Sequence, residues 1–376
     1  MNLKVLIVED SVLFQRILAE VLESIPYVEV IGSAANGKIA VQKIYDLHPD
    51  LITLDMEMPE MDGLEVLDVL KKSGSNVSVI LVSSLTRRGS QLTIKALEKG
   101  AFDFITKPDG ANVYANRKLL YHALEPRLRI LARSLEIRKI LSKGIADSAS
   151  DTFTDNSPMV FRSKGVELDS VIVRMNLLKA TKKPSIVLIG VSTGGPIALA
   201  HILPKISEDI GVPILIVQHM PAVFTSSFAE SLSAKCSIRV KEAINGEFVE
   251  PNTAYIAPGD KHMGLVSGSN GQKVLQITDD PPENFCRPAV DYLFRSVANH
   301  FPGQAMAVIL TGMGNDGISG LRLLKQHGCY VIAQNEESCV VYSMPKAAID
   351  AGFADKILPL ETIADQITAM VGRYKP

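Results

Sequence analysis

Long apolar runs are absent from this sequence. No stretch of its 376 residues approaches the ~20 consecutive apolar residues that cross a bilayer. The opening MNLKVLIVEDS is broken by Glu9 and Asp10 before it could act as a secretory signal. Membrane insertion and export are therefore not expected. Cysteine is scarce as well: Cys236, Cys286, Cys329 and Cys339 form no C-x-x-C pair. That argues against a disulfide or zinc framework and for a reducing, cytoplasmic setting. Net charge is only −2, which offers no general attraction for nucleic acid or an anionic membrane. Residues 110–142 are locally basic, with seven basic and two acidic side chains. This stretch reads as a solvated helix face rather than a DNA contact, because no helix-turn-helix pattern accompanies it and Pro126 interrupts it.

What is present exceeds one hydrophobic core, so two domains are expected. Over residues 1–120, with a last helix reaching to about 142, apolar runs at 5–8, 28–31, 51–54, 79–82 and 102–105 alternate with segments of helical spacing. Alternation of this kind predicts an α/β fold, a five-stranded parallel sheet of flavodoxin type with helices on both faces. Ligands of such sheets gather at the carboxyl ends of the strands. Those ends carry Glu9-Asp10, Asp55, Ser83-Ser84 and Thr106-Lys107-Pro108. Carboxylates crowded at one edge repel one another unless a cation sits among them, and an all-oxygen set suits Mg²⁺. Lys107 could reach an anion held by that ion, and Ser83 could report its presence. Residues 143–183 turn to Asp, Ser, Thr, Asn and Pro and read as a linker, with some apolar character regained at 166–173.

The second domain, 184–376, is expected to be a doubly wound α/β unit with a small antiparallel section over 238–278. Buried-strand runs at 185–189, 213–217 and 305–310 each end in a polar turn, and those turns hold Ser192, His219 and Asp316. If the strands are parallel neighbours, the three side chains emerge at one edge as the parts of a hydrolytic triad. Ser192 would attack, His219 would take and return its proton, and Asp316 would orient the imidazole. Backbone N–H groups at Thr193 and Met313 are candidates to hold the oxyanion. Taken singly, the glycine-rich turn around Ser192 equally suits a phosphate, a lone histidine is often structural, and Asp260 and His262 are rival site residues. Residues 190–194 fit G-x-S-x-G, yet the order Ser192, His219, Asp316 differs from the serine, acid, histidine order of α/β-hydrolases. No G-x-G-x-x-G loop supports a dinucleotide.

Residues 1–120 resemble a response-regulator receiver domain. That resemblance implies that Asp55 accepts phosphate from a sensor histidine kinase. It also implies Mg²⁺ held by Glu9, Asp10, Asp55 and the Glu57 carbonyl, Lys107 on the phosphoryl group, Ser83 and Phe104 as a switch pair, and a cis Lys107–Pro108 bond. The motifs Gly190-Val-Ser-Thr-Gly-Gly-Pro, Gln218-His-Met-Pro, Tyr255-Ile-Ala-Pro-Gly-Asp-Lys-His-Met, Arg287-Pro-Ala-Val-Asp and Leu310-Thr-Gly-Met-Gly-Asn-Asp-Gly resemble the catalytic domain of the CheB family of chemotaxis protein-glutamate methylesterases. The implied activity is hydrolysis of γ-glutamyl methyl esters on methyl-accepting chemotaxis receptors, releasing methanol, with deamidation of receptor glutamines and no catalytic cofactor. An unphosphorylated receiver would cover the cleft holding Ser192. The chain departs from the family at Glu9, Val191 and Cys286, where aspartate, alanine and histidine are commoner. Cys286 reads as a small buried apolar residue. A non-catalytic binding domain, a hydrolase of small-molecule esters and a transcription factor are the competing readings.

Overall fold

The structure, a computed structural model, describes residues 2–108, 110, 112–147, 183–268 and 271–371. Most of the expected linker, with its 166–173 segment, lies outside the described residues.

Strands β1 (Leu3–Val8), β2 (Val28–Ala34), β3 (Leu51–Asp55), β4 (Ser78–Ser83) and β5 (Asp103–Thr106) form one sheet in the order β2-β1-β3-β4-β5. Every pairing in it is parallel. Helices α1 (Val12–Glu23), α2 (Gly37–Leu47), α3 (Gly63–Ser73), α4 (Arg87–Glu98) and α5 (Val113–Asp147) cover its two faces. Their ends follow from local chemistry. Ser11, Asn36 and Thr86 each accept a backbone N–H at a helix start, and Asp62 with Glu65 forms a capping box on α3. Leu120, Leu124, Leu128 and Leu131 bring one stripe of α5 onto the core that also holds Leu18 and Leu22 of α1.

Pro126, expected to interrupt the basic stretch, sits inside α5 without ending it. A proline there removes one backbone donor, and packing of the leucine stripe on both sides outweighs that loss. The Lys107–Pro108 bond also departs from expectation. It is trans, the lower-energy isomer, and the cis X-Pro bond among the described residues is Arg287–Pro288.

The second sheet has seven strands in the order β14-β13-β12-β6-β7-β9-β8. They are β6 (Ile186–Val191), β7 (Ile214–Gln218), β8 (Arg239–Glu242), β9 (Thr253–Ile256), β12 (Ala305–Ile309), β13 (Tyr330–Gln334) and β14 (Lys356–Leu358). All pairings in this sheet are parallel too. Among the strands of the described residues, β10 (His262–Ser267) and β11 (Lys273–Thr278) pair antiparallel, separately from that sheet, and Phe248 adds an isolated antiparallel bridge to Val274. The antiparallel section is therefore narrower than 238–278: the apolar β9, buried along its whole length, joins the parallel sheet beside β7. Helices α6 (Gly195–Ile202), α7 (Ala222–Ser233), α8 (Val290–His300), α9 (Ile318–Gln326), α10 (Ser343–Asp350) and α11 (Leu360–Val371) pack around it. Central strand β6 has all six residues buried, which explains its unbroken apolar run.

The two α/β units meet along α4 and α7. Ser90 Oγ and Ser227 Oγ share a buried hydrogen bond of 2.7 Å, and the rings of Phe104 and Phe224 pack at a tilt of 37° with centroids 4.5 Å apart. Glu98 accepts from Ser231 Oγ and pairs with Lys235 at the edge. No helix among the described residues is long and apolar enough to cross a membrane.

Candidate active site

Strands β12, β6 and β7 are adjacent and parallel, so the residues that follow them leave the sheet at one edge. Chain order reverses there, since β7 lies on one side of β6 and β12 on the other, and such a switch point opens a crevice. Ser192 follows β6 directly, His219 follows β7, and Asp316 lies in the turn after β12. Ser192 N donates to Thr311 O and the Gln218 side-chain amide donates to Ser192 O, so neighbouring strand ends hold the serine turn from both sides. Gly194 has φ +78, and a Cβ there would lie 2.6 Å from Val340 Cβ. A Cβ on Gly312 would meet Met344 Sδ at 2.3 Å and Ser192 Cβ at 2.8 Å. These two glycines let the β12 turn close over the serine.

His219 Nε2 and Asp316 Oδ2 are 2.8 Å apart. Asp316 also accepts from the N–H groups of Val290 (2.7 Å) and Asp291 (3.1 Å), at the start of α8, and from Asn284 Nδ2 (3.0 Å). Burial works against its charge, but the imidazole and the helix-end donors hold its carboxyl below the usual range. For His219 burial likewise disfavours charge. The Asp316 hydrogen bond and the Cys286 sulfur outweigh it and lift the imidazole to about 10. In this arrangement the ring favours its charged form, which has no lone pair to take a serine proton.

Ser192 and His219 line one cleft and Asp316 is buried behind His219, but the imidazole is not bonded to the serine. Its Nε2 is engaged by Asp316 and its Nδ1 faces Cys286 Sγ at 3.6 Å. Cys286 is thus not the buried apolar filler expected from the sequence; it is half-buried and lines the same cavity. No backbone acceptor among the described residues takes the N–H of Thr193 or Met313. His262 turns away from the chemistry. It is fully buried, stacks on Tyr292 at 4.5 Å, and bonds Pro281 O and Ala289 N. Asp260 lines the cavity without entering the Asp316–His219 pair.

The first unit covers this cavity of about 290 Å³, as the resemblance implied, but sequence reasoning missed the residues that do so: Asp103, Phe104, Thr106 and Arg127 stand opposite Ser192, His219, Phe285 and Cys286. Asp103 Oδ2 accepts from Thr193 Oγ1 and from Arg127 Nε, each at 2.9 Å. The first unit therefore holds the residue next to Ser192. An Asp beside the expected switch aromatic was the only signal, and a sequence does not say across which domain it will bond.

At the carboxyl edge of the first sheet, carboxylate oxygens of Glu9, Asp10 and Asp55 lie within 4.8 Å of one another. Lys107 Nζ lies 2.8 Å from Asp55 Oδ2 and 2.9 Å from Glu9 Oε1. Glu9 Oε2 is buried and has no hydrogen-bond donor; Lys107 Nζ is 2.8 Å away but not in bonding geometry. Burial and then repulsion from Asp55 raise Glu9 from 4.5 to about 7, against the pull of Lys107. An orphaned carboxylate oxygen in an acidic, all-oxygen pocket fits a Mg²⁺ ion. Ser83 Oγ, behind it, accepts from Thr93 Oγ1 at 2.7 Å, which couples β4 to α4. Glu57 is exposed and pairs with Arg88. Phe104 is buried against Phe224.

The family model described as CheB methylesterase matches residues 187–367, and that of the response regulator receiver domain matches residues 5–116. A protein-glutamate methylesterase/protein-glutamine glutaminase of Desulfotalea psychrophila is 48% identical over 375 residues, covering 99% of this chain and 100% of that protein. One of the same description from Trichodesmium erythraeum is 41% identical, covering 98% and 99%. The crystal structure of the Thermotoga maritima CheB methylesterase catalytic domain is 43% identical, with a TM-score of 0.48, and covers 50% of this chain and 98% of that one.

Two titrations check the electrostatics. A His219 pKa raised from 6.5 to about 10 contributes stability that is complete below the lower value and lost as pH rises through the upper one. The His219 ring resonances should titrate far above the ordinary range, and Asp316→Asn should bring the midpoint down; an ordinary midpoint in both proteins would contradict the pairing. For Glu9 the proton stabilises the fold below 4.5, and that contribution is lost as pH rises through about 7. Mg²⁺ should therefore raise the melting temperature more at pH 8 than at pH 5, and an equal rise at both would argue against Glu9 as a ligand.

Proposed function

The chain belongs to the CheB methylesterase family, and from that premise we propose how its residues carry out and regulate the reaction. It is a protein-glutamate methylesterase and protein-glutamine glutaminase governed by a receiver domain. The observation that carries the residue assignment is the meeting of Ser192, His219 and Asp316 at three adjacent strand ends, with Nε2 on Asp316 at 2.8 Å.

With Nε2–H given to Asp316, the nitrogen that serves Ser192 is Nδ1. In the productive complex Nδ1 takes the Ser192 proton as Oγ attacks the γ-carbonyl of a methylated glutamate, and such catalytic hydrogen bonds often form only when substrate is bound. The oxyanion is held by the N–H groups of Thr193 and Met313, each contributing on the order of 10²–10³ in rate. Collapse expels methanol, which leaves with the proton from Nδ1. Water then repeats the sequence on the acyl-serine and releases glutamate. A glutamine side chain follows the same path with ammonia as the leaving group. Asp316 stays ionised throughout and stabilises the imidazolium.

Regulation follows from what stands over the cleft. The Asp103–Thr193 bond and the Phe104–Phe224 contact keep a receptor helix from Ser192, and Cys286 draws the imidazole away. Phosphate on Asp55, donated by a sensor histidine kinase, would engage Lys107 and Ser83. Glu9, Asp10 and Asp55 with the Glu57 carbonyl would hold the Mg²⁺, which neutralises charge on the phosphoryl group. Ser83 ends β4 and is bonded to α4 through Thr93, and Phe104 lies in β5, so each switch residue is tied to an element that grips the second unit. A change at either one shifts the population toward an open cleft. The substrates are the methyl-accepting receptors of chemotaxis, met from the cytoplasmic side.

Methanol release from methylated receptor membranes tests the chemistry. Ser192→Ala and His219→Ala should each lower it by ~10³-fold or more. Normal release by either variant would sink the assignment.

A further inference from the structure

Cys286 takes no part in that chemistry, yet it faces the group that does. Its Sγ lies 3.6 Å from His219 Nδ1, inside the cavity that holds Ser192. The other ring nitrogen is committed to Asp316. Sulfur and Nδ1 lie within hydrogen-bonding distance of one another.

A metal ion between these two atoms would meet a suitable frame. Sulfur at ~2.3 Å and nitrogen at ~2.0 Å from a tetrahedral zinc ion stand about 3.5 Å apart, close to what the pair already adopts. A ligating histidine commonly gives its other N–H to a carboxylate, which fixes the tautomer and the ring orientation. Asp316 fills that place and is itself tied down by Val290 N, Asp291 N and Asn284. Ligating atoms of His219, Cys286 and Asp316 all fall within 4.8 Å of one another. Thiolate with imidazole selects a soft or borderline ion over Mg²⁺, whose oxygen-lined site lies at the other sheet.

We propose that Cys286 and His219 form a two-ligand site for a thiophilic divalent ion, Zn²⁺ in the first place, which holds the esterase off. On binding, the protons held on Sγ and Nδ1 leave to solvent, S–Zn and N–Zn bonds form, and water completes the shell with no change of oxidation state. Asp316 remains outside the shell, bonded to Nε2. The imidazole then has no lone pair for the Ser192 proton. Inhibition is reversible by a chelator, because two protein ligands hold an ion less firmly than the three or four of permanent zinc sites. The binding site rests on the pair's geometry; only its effect on rate rests on the proposed role of His219.

The full chain, with its receiver saturated with Mg²⁺, is titrated with Co²⁺ and followed in the near ultraviolet, where thiolate ligation gives an intense charge-transfer band. The band should appear, be displaced by Zn²⁺, and be lost in Cys286→Ser and Cys286→Ala but kept in Cys236→Ser and Cys339→Ser. Zn²⁺ should inhibit wild-type methanol release at concentrations at least ~10-fold lower than those needed for the Cys286 variants. No band, or one that survives both Cys286 substitutions, overturns the site. A Cys286-dependent band with methanol release indifferent to Zn²⁺ overturns the off-switch. A wild-type chain with the band but without methanol release would leave the site standing and bring down the functional reading instead.

Discussion

Parallel strands deliver the residues that follow them to a single edge, and the second unit depends on that constraint. β12, β6 and β7 are neighbours although β12 lies more than a hundred residues after β6 in the chain. Only this adjacency brings an aspartate, a serine and a histidine from distant turns into one cleft. Full burial of β6 and β7 fixes the register, since a slip would disturb the packing on both faces of the sheet. The start of α8 then lends two N–H groups to Asp316. Sheet order supplies the meeting place, and a helix end sets the charge of one member.

The same edge is where the first unit sits. Its β5 places Asp103 on Thr193 and Phe104 on Phe224, and α4 runs along α7. Residues implied in sensing a phosphoryl group therefore lie in, or bond to, the two elements that close the cleft. The buried Ser90–Ser227 bond and the Phe104–Phe224 contact lie within an apolar cluster that runs across both units, with Ile94 and Leu97 of α4 against Phe228 of α7. His219 adds an electrostatic layer: while the cleft is covered, Asp316 and Cys286 bias the ring toward the charged form that cannot act as a base.

Much of this was legible in the sequence. Apolar runs located the five strands of the first sheet and β6, β7 and β12 of the second, and the polar turns after them held the residues that the structure gathers. Acid, lysine and hydroxyl at the ends of β1, β3, β4 and β5 were equally plain. Other features were out of reach for physical reasons. Pro126 marks a break in local terms, but the leucine stripe of α5 decides otherwise. A four-residue strand such as β9 carries no sign of whether its neighbour runs parallel. Cys286 has the composition of a core residue, and only three-dimensional placement sets its sulfur against an imidazole. The Asp103–Thr193 bond joins residues 90 apart in different units, a pairing that no periodicity encodes.

The central claim is that the state of Asp55 sets access to Ser192. Methanol release from methylated receptor membranes, measured for the intact chain with and without a small-molecule phosphodonor in the presence of Mg²⁺, tests it most directly. The account predicts a clear rise in rate with the phosphodonor and none in Asp55→Asn. An equal rate in both conditions, or a rise that survives Asp55→Asn, would contradict it.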